Sequence, residues 1–377
     1  MSARRQLQGL RIASGLSDSC LKEGYSLNKL RGDVMAGLTV GISAIPLSMA
    51  LAIAIGVPPQ HGLYTSLVAG LLMAVLGGSR YSVSGPTAAF VVILQPVVQQ
   101  YGLPGLMLTT LLAGTFILLM AVAQFGRVLS YIPHTVTFGF TLGIAVIIAT
   151  LQIPDLFGLV LTEQLPNFYF AKLWDIIRHL PTIHWPTLMV TAVSFVVMYL
   201  WPRAKVPIPA HLVTLLAGVI VALLLANYGY PVATIASSFE YHALAGHTAA
   251  GIPNFLPHFE LPWQGVEGNY WTFEMLGEVL PQALTIALLG AIEALLCAVM
   301  LERLTGQRYH ANAELFGQGV GNIVAPFFGG FSAAPELARS TTNFRAGAAT
   351  PLAAVIHTGV IAVCLLWASP YLKHLPM

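Results

Sequence analysis

The stretch SGPTAAFVVILQP, Ser84 to Pro96, decides how the chain is built. Its apolar run, Ala88 to Leu94, is too short to cross a bilayer, which takes about 20 residues of helix. Ahead of it stands Ser84-Gly85-Pro86-Thr87, which interrupts a helix because proline lacks an N–H and pushes the preceding residue into extended backbone. A helix opening here would open part-way across the apolar layer.

The composition makes that layer a membrane. Of 377 residues, 56% are hydrophobic and 8% charged, with mean hydropathy +0.76, against about 25% charged residues in a soluble domain. Apolar segments recur along the whole length without the alternation of an outer-membrane barrel, so the expected fold is an all-α polytopic membrane protein. The net charge of +2 gives no indication of nucleic acid. Cys20, Cys297 and Cys364 lie far apart, supporting neither a disulfide framework nor a cysteine metal site. No signal peptide is visible, since residues 1–30 hold Arg4, Arg5, Arg11, Lys22 and Lys29 and no apolar core.

Roughly eleven spans are expected, at about 33–56, 62–77, 86–99, 104–123, 128–150, 186–201, 211–227, 277–301, 312–328, 334–348 and 350–369. Between the fifth and sixth, NFYFAKLWDIIRHL (Asn167 to Leu180) reads as an aromatic, amphipathic piece lying on the membrane rather than in it. The stretch Tyr228 to Thr272 carries Glu240, Glu260 and Glu267 and no Lys or Arg. Basic residues collect in cytoplasmic loops. The N-terminal segment, Arg80, Arg127, Arg203, Lys205, Arg303, Arg308 and Arg345 share one side if the spans alternate, which places the N-terminus in the cytoplasm and the acidic loop outside.

A second stretch repeats the pattern of the first. The third span opens on SVSGPTAAF after LGGSRYS; the tenth opens on SAAPELARS after APFFGGF. Both are short and begin with small residues and proline after Gly-Gly. Matched interruptions in two halves of a membrane protein point to a transporter site formed by facing half-helices. Their N-termini leave N–H groups unpaired and carry roughly half a positive charge each, which suits an anion.

Longer motifs carry a family resemblance. RGDVMAGLTVGISAIPLSMALAIAIGVPPQHGLYTS (Arg31 to Ser66), GGSRYSVSGPTAAFVVILQP, FGRVLSYIPHTVTFGF, LLGAIEALLCAVM and GQGVGNIVAPFFGGFSAA with ARSTTNFRAGA resemble the SulP/SLC26 anion transporters over nearly the whole chain. The resemblance implies the SLC26/UraA-like fold of two inverted seven-span repeats, with half-helices at spans 3 and 10. Residues 1–30 are then a cytoplasmic N-terminal segment and 31–228 the first repeat (core spans 1–4, gate spans 5–7). Residues 229–272 form an extracytoplasmic loop and 273–377 the core spans 8–11 of the second repeat. The chain stops after span eleven, so the remaining gate spans and the STAS domain are expected to be absent. Also implied are a secondary active anion transporter in the bacterial inner membrane, working by core-against-gate movement, and a homodimer in the full-length protein. The substrate implied is a C4-dicarboxylate (succinate, fumarate, aspartate) entering with a proton; sulfate or bicarbonate carriage, or a passive anion channel, are the alternatives.

Carried over by motif, the substrate pocket falls on Leu47 and Leu51 of the first span, on Ser84, Gly85, Pro86, Thr87, Ala88 and Ala89, and on Ala333, Ala334, Ala338, Arg339 and Ser340. Pro46 is expected to break the backbone beside Leu47 and free polar groups for a cavity. Thr87 offers a hydroxyl, and the alanines let an anion approach the backbone, although small residues also serve tight helix packing. Three ionisable side chains inside spans are functional candidates. Glu293 has no basic neighbour within a turn and is read as the proton-coupling carboxyl rather than as a static partner of Arg339. Arg339 matches the family's basic residue near the anion. His357 is read first as a hydrogen-bonded core histidine, with a proton-path role as the second reading. Glu336 sits where a neutral residue is expected, and it either pairs with Arg339 at i,i+3 or points into the pocket. No cofactor is expected beyond the coupling ion. A proton is preferred to sodium because Cys297, one turn after Glu293, is a poor ligand for a hard cation. There is no HExxH, P-loop or GxSxG, so no enzyme is expected.

Overall fold

The computed structural model describes residues 12–126, 134–160, 169–204, 206, 210–242, 248–263 and 271–376. Arg4, Arg5, Arg11, Arg127, Lys205 and Glu267, the beginning of the expected fifth span and the start of the 167–180 piece lie outside them. Among the described residues, six helical stretches are long and apolar enough to cross a membrane: Leu27–Ile55, Ala88–Val122, Trp185–Ala204, Ala210–Asn227, Phe273–Thr305 and Leu352–Leu372. The elements used below are α1 (Leu27–Ile55), α2 (Gln60–Leu76), β1 (Ser84–Pro86), α3 (Ala88–Val122), α4 (His134–Leu151), α5 (Tyr169–His179), α6 (Trp185–Leu200), α7 (Ala210–Asn227), β2 (Glu240–His242), β3 (Thr248–Ala250), α8 (Phe273–Thr305), α9 (Ala311–Val324), β4 (Ala333–Pro335), α10 (Leu337–Arg345) and α11 (Leu352–Val363).

Two compact units divide them, Met1–Gly139 with Leu256–Val363, and Phe140–Phe255 with Cys364–Met377. In the first, α9 and α8 pack on α3, α11 packs on α1 and α2, and α9 also packs on α2. Such close approaches depend on small residues. A Cβ on Gly62 would lie 1.9 Å from the Ser48 carbonyl oxygen, so α1 and α2 touch backbone to backbone there.

Two expectations change and one boundary holds. Pro46 lies inside α1, which runs unbroken to a C-cap at Gly56 in the left-handed region (φ 95°). A proline removes only its own N–H, and the bonded turns on either side carry the helix through. The expected boundary between the third and fourth spans stands: α3 is two helices that meet at a kink at Gly102 (φ 61°, ψ −154°), just ahead of Pro104. That backbone geometry is open essentially to glycine alone. The tenth span is shorter than expected, because a strand takes its first residues and leaves α10 only nine residues long.

Two buried carboxylates brace this unit. Asp33 in α1 accepts from the N–H groups of Ala349 and Thr350 (2.7 and 3.0 Å) and from the Thr350 hydroxyl (2.6 Å), capping the approach to α11. Glu314 in α9 accepts from the N–H groups of Gly78 and Ser79 (2.8 and 2.9 Å), holding the turn that leads into β1. Hydrogen bonds to charged groups contribute about 1.5–3 kcal/mol each, and a stranded donor costs desolvation as well. Asp33→Ala should therefore lower unfolding stability by about 3 kcal/mol or more, read as a lower denaturant midpoint in detergent, with Asp33→Asn falling between.

Ahead of α1, a strap of residues lies across the turns at that end of the unit. Ala13 N–H donates to Leu76 O (2.9 Å) and Gly15 N–H to Gly77 O (3.2 Å). Arg80 grips both carboxylate oxygens of Glu23, and Asp18 meets His310 Nε2 at 3.2 Å. The Arg80 guanidinium holds the Glu23 carboxyl below its ordinary value near 4.5. A depressed carboxyl pKa contributes stability above the unfolded value and loses it as pH falls through the folded one. Hydrogen exchange of residues 13–23, corrected for intrinsic rate, should stay constant from neutral pH down to about 5 and quicken progressively below that.

In the second unit, α7 packs on α6, and β2 pairs with β3 antiparallel, Tyr241 opposite Ala249. Ile235 N–H and Ala236 N–H donate to the carbonyls of Leu375 and Lys373 (3.0 and 2.9 Å). The amphipathic piece is α5, with Phe170, Trp174 and Ile177 exposed at i, i+4 and i+7 and the Arg178 guanidinium 5.4 Å from the Trp174 ring centroid.

Candidate functional site

The two interrupted spans meet through their strands. β1 and β4 pair antiparallel, with Ser84 opposite Pro335, Gly85 opposite Ala334 and Pro86 opposite Ala333. Pairing satisfies backbone groups that could find no water within an apolar layer. The outer edge of β4 is closed by an amide: Asn322 of α9 donates to Ala333 O (2.9 Å) and accepts from Ala333 N–H (2.7 Å). At the other end, the Ser340 hydroxyl accepts from Val83 N–H (3.0 Å), donates to Glu336 O (2.7 Å) and lies 3.4 Å from Cys297 Sγ.

Each strand hands over to a helix whose first turn is more open than the strand. Ser84, Gly85, Pro86, Thr87, Ala333 and Ala334 are buried, while Ala88 and Ala89 are half-buried and Leu337 and Ala338 exposed. Thr87 is the N-cap of α3; its Oγ1 accepts weakly from Ala89 N–H (3.4 Å) and donates to Glu293 Oε1 (2.8 Å). The N-cap of α10 is Glu336, whose side chain does not cap. Among the predicted residues Leu51 is buried and Leu47 exposed on α1.

Arg339 crosses between the two tips. Its Nε donates to Glu336 Oε2 (2.6 Å) and its Nη2 to Pro86 O, while Nη1 has no partner among the described residues. A Cβ on Gly85 would lie 2.3 Å from that Nη1, so the absence of a side chain at Gly85 makes room for the guanidinium. The partner of Arg339 is thus Glu336 and not Glu293, whose Oε2 is also without a partner. Two buried side chains that each keep one polar atom unsatisfied at this crossing stand out, because buried polar atoms are normally hydrogen-bonded. His357 is buried on α11. The Ala354 carbonyl one turn back is the hydrogen-bond acceptor nearest its ring, and neither ring nitrogen makes a hydrogen bond of normal geometry among the described residues.

Asn322 and Gln318, both fully buried, escaped the sequence reading. The Gln318 amide lies against Gly290, where Phe90 also packs, and has no partner among the described residues. Polar residues at i and i+4 of a helix predicted to be buried are the signal that could have marked them.

Facing half-helices joined by an antiparallel crossing, on a scaffold of apolar spanning helices, define the class of membrane carriers with discontinuous helices. The chain belongs to the sulfate permease family, which matches residues 30–377. It is 36% identical over 355 residues to the protein named "Putative sulfate transporter YvdB" of Bacillus subtilis, covering 94% of this chain and 63% of that one. Against the bicarbonate transporter BicA of Picosynechococcus sp. it is 25% identical over 362 residues, covering 92% and 59%. The chain therefore spans less than two thirds of the length of these curated relatives. The solved transmembrane domain of a cyanobacterial BicA superposes with TM-score 0.79 at 25% identity, covering 93% of this chain and 86% of that one. Murine Slc26a9, an anion transporter solved in the inward-facing state, gives TM-score 0.80 at 19% identity, a likeness of fold alone, over 96% and 60%. The fold is the SLC26 type, and the family consists of transporters rather than enzymes.

Proposed function

We propose that the protein is a secondary active transporter of a small oxyanion, sulfate or bicarbonate, held between the tips of α3 and α10. The reading rests on one observation: the unpartnered Nη1 of buried Arg339 stands where two helix N-termini converge. Helix N-termini and a guanidinium hydrogen both favour an anion, and small Ala88, Ala89 and Ala338 leave its approach open. The dicarboxylate expected from the sequence is set aside, since the relatives named above carry sulfate and bicarbonate in their names. Glu293, tied to the α3 tip through Thr87, is the proton-coupling group in this reading. The N-terminus is taken as cytoplasmic and the membrane as the bacterial inner membrane from the charge pattern and the resemblance, and a homodimer from the resemblance alone.

The test is saturable binding of labelled sulfate and bicarbonate to the purified protein, followed by uptake into proteoliposomes. Saturable, mutually competitive uptake is the expected result. Unitary currents in a planar bilayer would make it a channel, and no saturable binding of either anion would overturn the reading.

A further inference from the structure

Glu336 stands where it should weaken an anion site. Elsewhere in the chain Ser26, Thr87 and Thr272 occupy N-cap positions and turn their oxygens back onto the backbone of the following turn. Glu336 holds the same position on α10 and does not do this; its carboxylate takes Arg339 Nε at 2.6 Å instead. About a quarter of the Glu336 side chain is exposed, at the start of α10 and next in sequence to exposed Leu337 and Ala338, so its charge stands at the tip.

We propose that Glu336 sets the charge of the anion this site accepts, fitting it to a singly charged oxyanion such as bicarbonate over a doubly charged one such as sulfate. The inference rests on the anion-carrier reading above. Arg339 and Glu336 cancel as a pair, which leaves Nη1 as a hydrogen-bond donor without net charge behind it. What remains is the two helix tips, worth roughly half a positive charge each, so the positive field matches about one negative charge. A dianion would leave its second charge uncompensated in a region of low dielectric constant, where unpaired charge is most costly.

The groups around the pair do not reverse the sign. Glu293 of α8 faces the site through Thr87 and adds nothing when protonated and further negative charge when ionised. Glu314 of α9 is spent on Gly78 and Ser79. His357 of α11 is buried and carries no negative charge in either protonation state. The preference therefore comes from Glu336.

The experiment measures dissociation constants for sulfate and bicarbonate at one pH and ionic strength on the unmodified protein, Glu336→Gln and Glu336→Asp. Glutamine keeps an oxygen for Arg339 Nε and removes the charge; aspartate keeps the charge. Coulomb interaction with a dianion is twice that with a monoanion, so Glu336→Gln should shift the ratio of the two constants at least about tenfold towards sulfate. Glu336→Asp should hold the original ratio within about twofold. An unchanged ratio in Glu336→Gln, an unmodified protein that prefers sulfate, or equal loss of both anions in both variants would each overturn the role given to Glu336 while the carrier reading stands. No saturable binding of either anion by the unmodified protein would overturn both.

Discussion

Gly85→Ala is expected to cost the site at least about tenfold in affinity for its anion, which is about 1.4 kcal/mol. The new Cβ would lie 2.3 Å from Arg339 Nη1 and 2.9 Å from the Ser66 hydroxyl, closer than real side chains come. Neither neighbour can give way cheaply. Arg339 is held by Glu336 and the Pro86 carbonyl, and Ser66 by the Ser48 hydroxyl at 2.7 Å. The free guanidinium hydrogen is the one that must move. Ala88→Trp places bulk on the half-buried first turn of α3, and should abolish binding while the protein stays monodisperse in detergent. Unchanged affinity in both variants would remove the crossing from the anion site.

Glu293→Gln is expected to separate binding from accumulation. Glutamine retains an Oε1 to accept from Thr87, as the carboxylate does at 2.8 Å, so the α3 tip should keep its shape and its anion. What is lost, on the proposed reading, is the group that exchanges the coupled proton. With the unmodified protein in proteoliposomes, one unit of imposed pH gradient should sustain about tenfold accumulation for each proton carried. Glu293→Gln should bring the anion only to equilibrium, with the pH dependence of binding largely gone. Accumulation that follows a sodium gradient and ignores the pH gradient would reassign the coupling ion.

Much of the site could be read before any coordinates because breaks in a membrane helix are written in glycine and proline. Gly85-Pro86 and Ala334-Pro335 mark the two crossings directly, and apolar runs too short to span follow each. The partners were harder to read. Nothing local states that Gly85 faces Ala334, since register between segments so distant is set only by the packing of the helices that carry them. Asp33 and Glu314 stand near the ends of apolar runs, where a carboxylate reads as a loop charge, and only the folded protein turns them onto backbone N–H groups of the other half. Pro46 misled for the opposite reason: a proline in a long apolar helix looks like Pro86, but no glycine or second proline beside it deepens the break.

The pairing of β1 with β4 also sets a timetable for biogenesis. Ser84 meets Pro335 about 250 residues later in the chain, and Asp33 waits longer still for Thr350. At synthesis rates of about 5–20 residues per second, the first crossing strand stays without its partner for about 12–50 s. During that interval its backbone donors and acceptors face lipid, water or the insertion machinery rather than protein, and exposed strand in hydrocarbon is not a stable state. The first half therefore cannot settle in the bilayer in its final form, and quality control in the cell would meet it as an unfinished helix until residues 322–340 arrive.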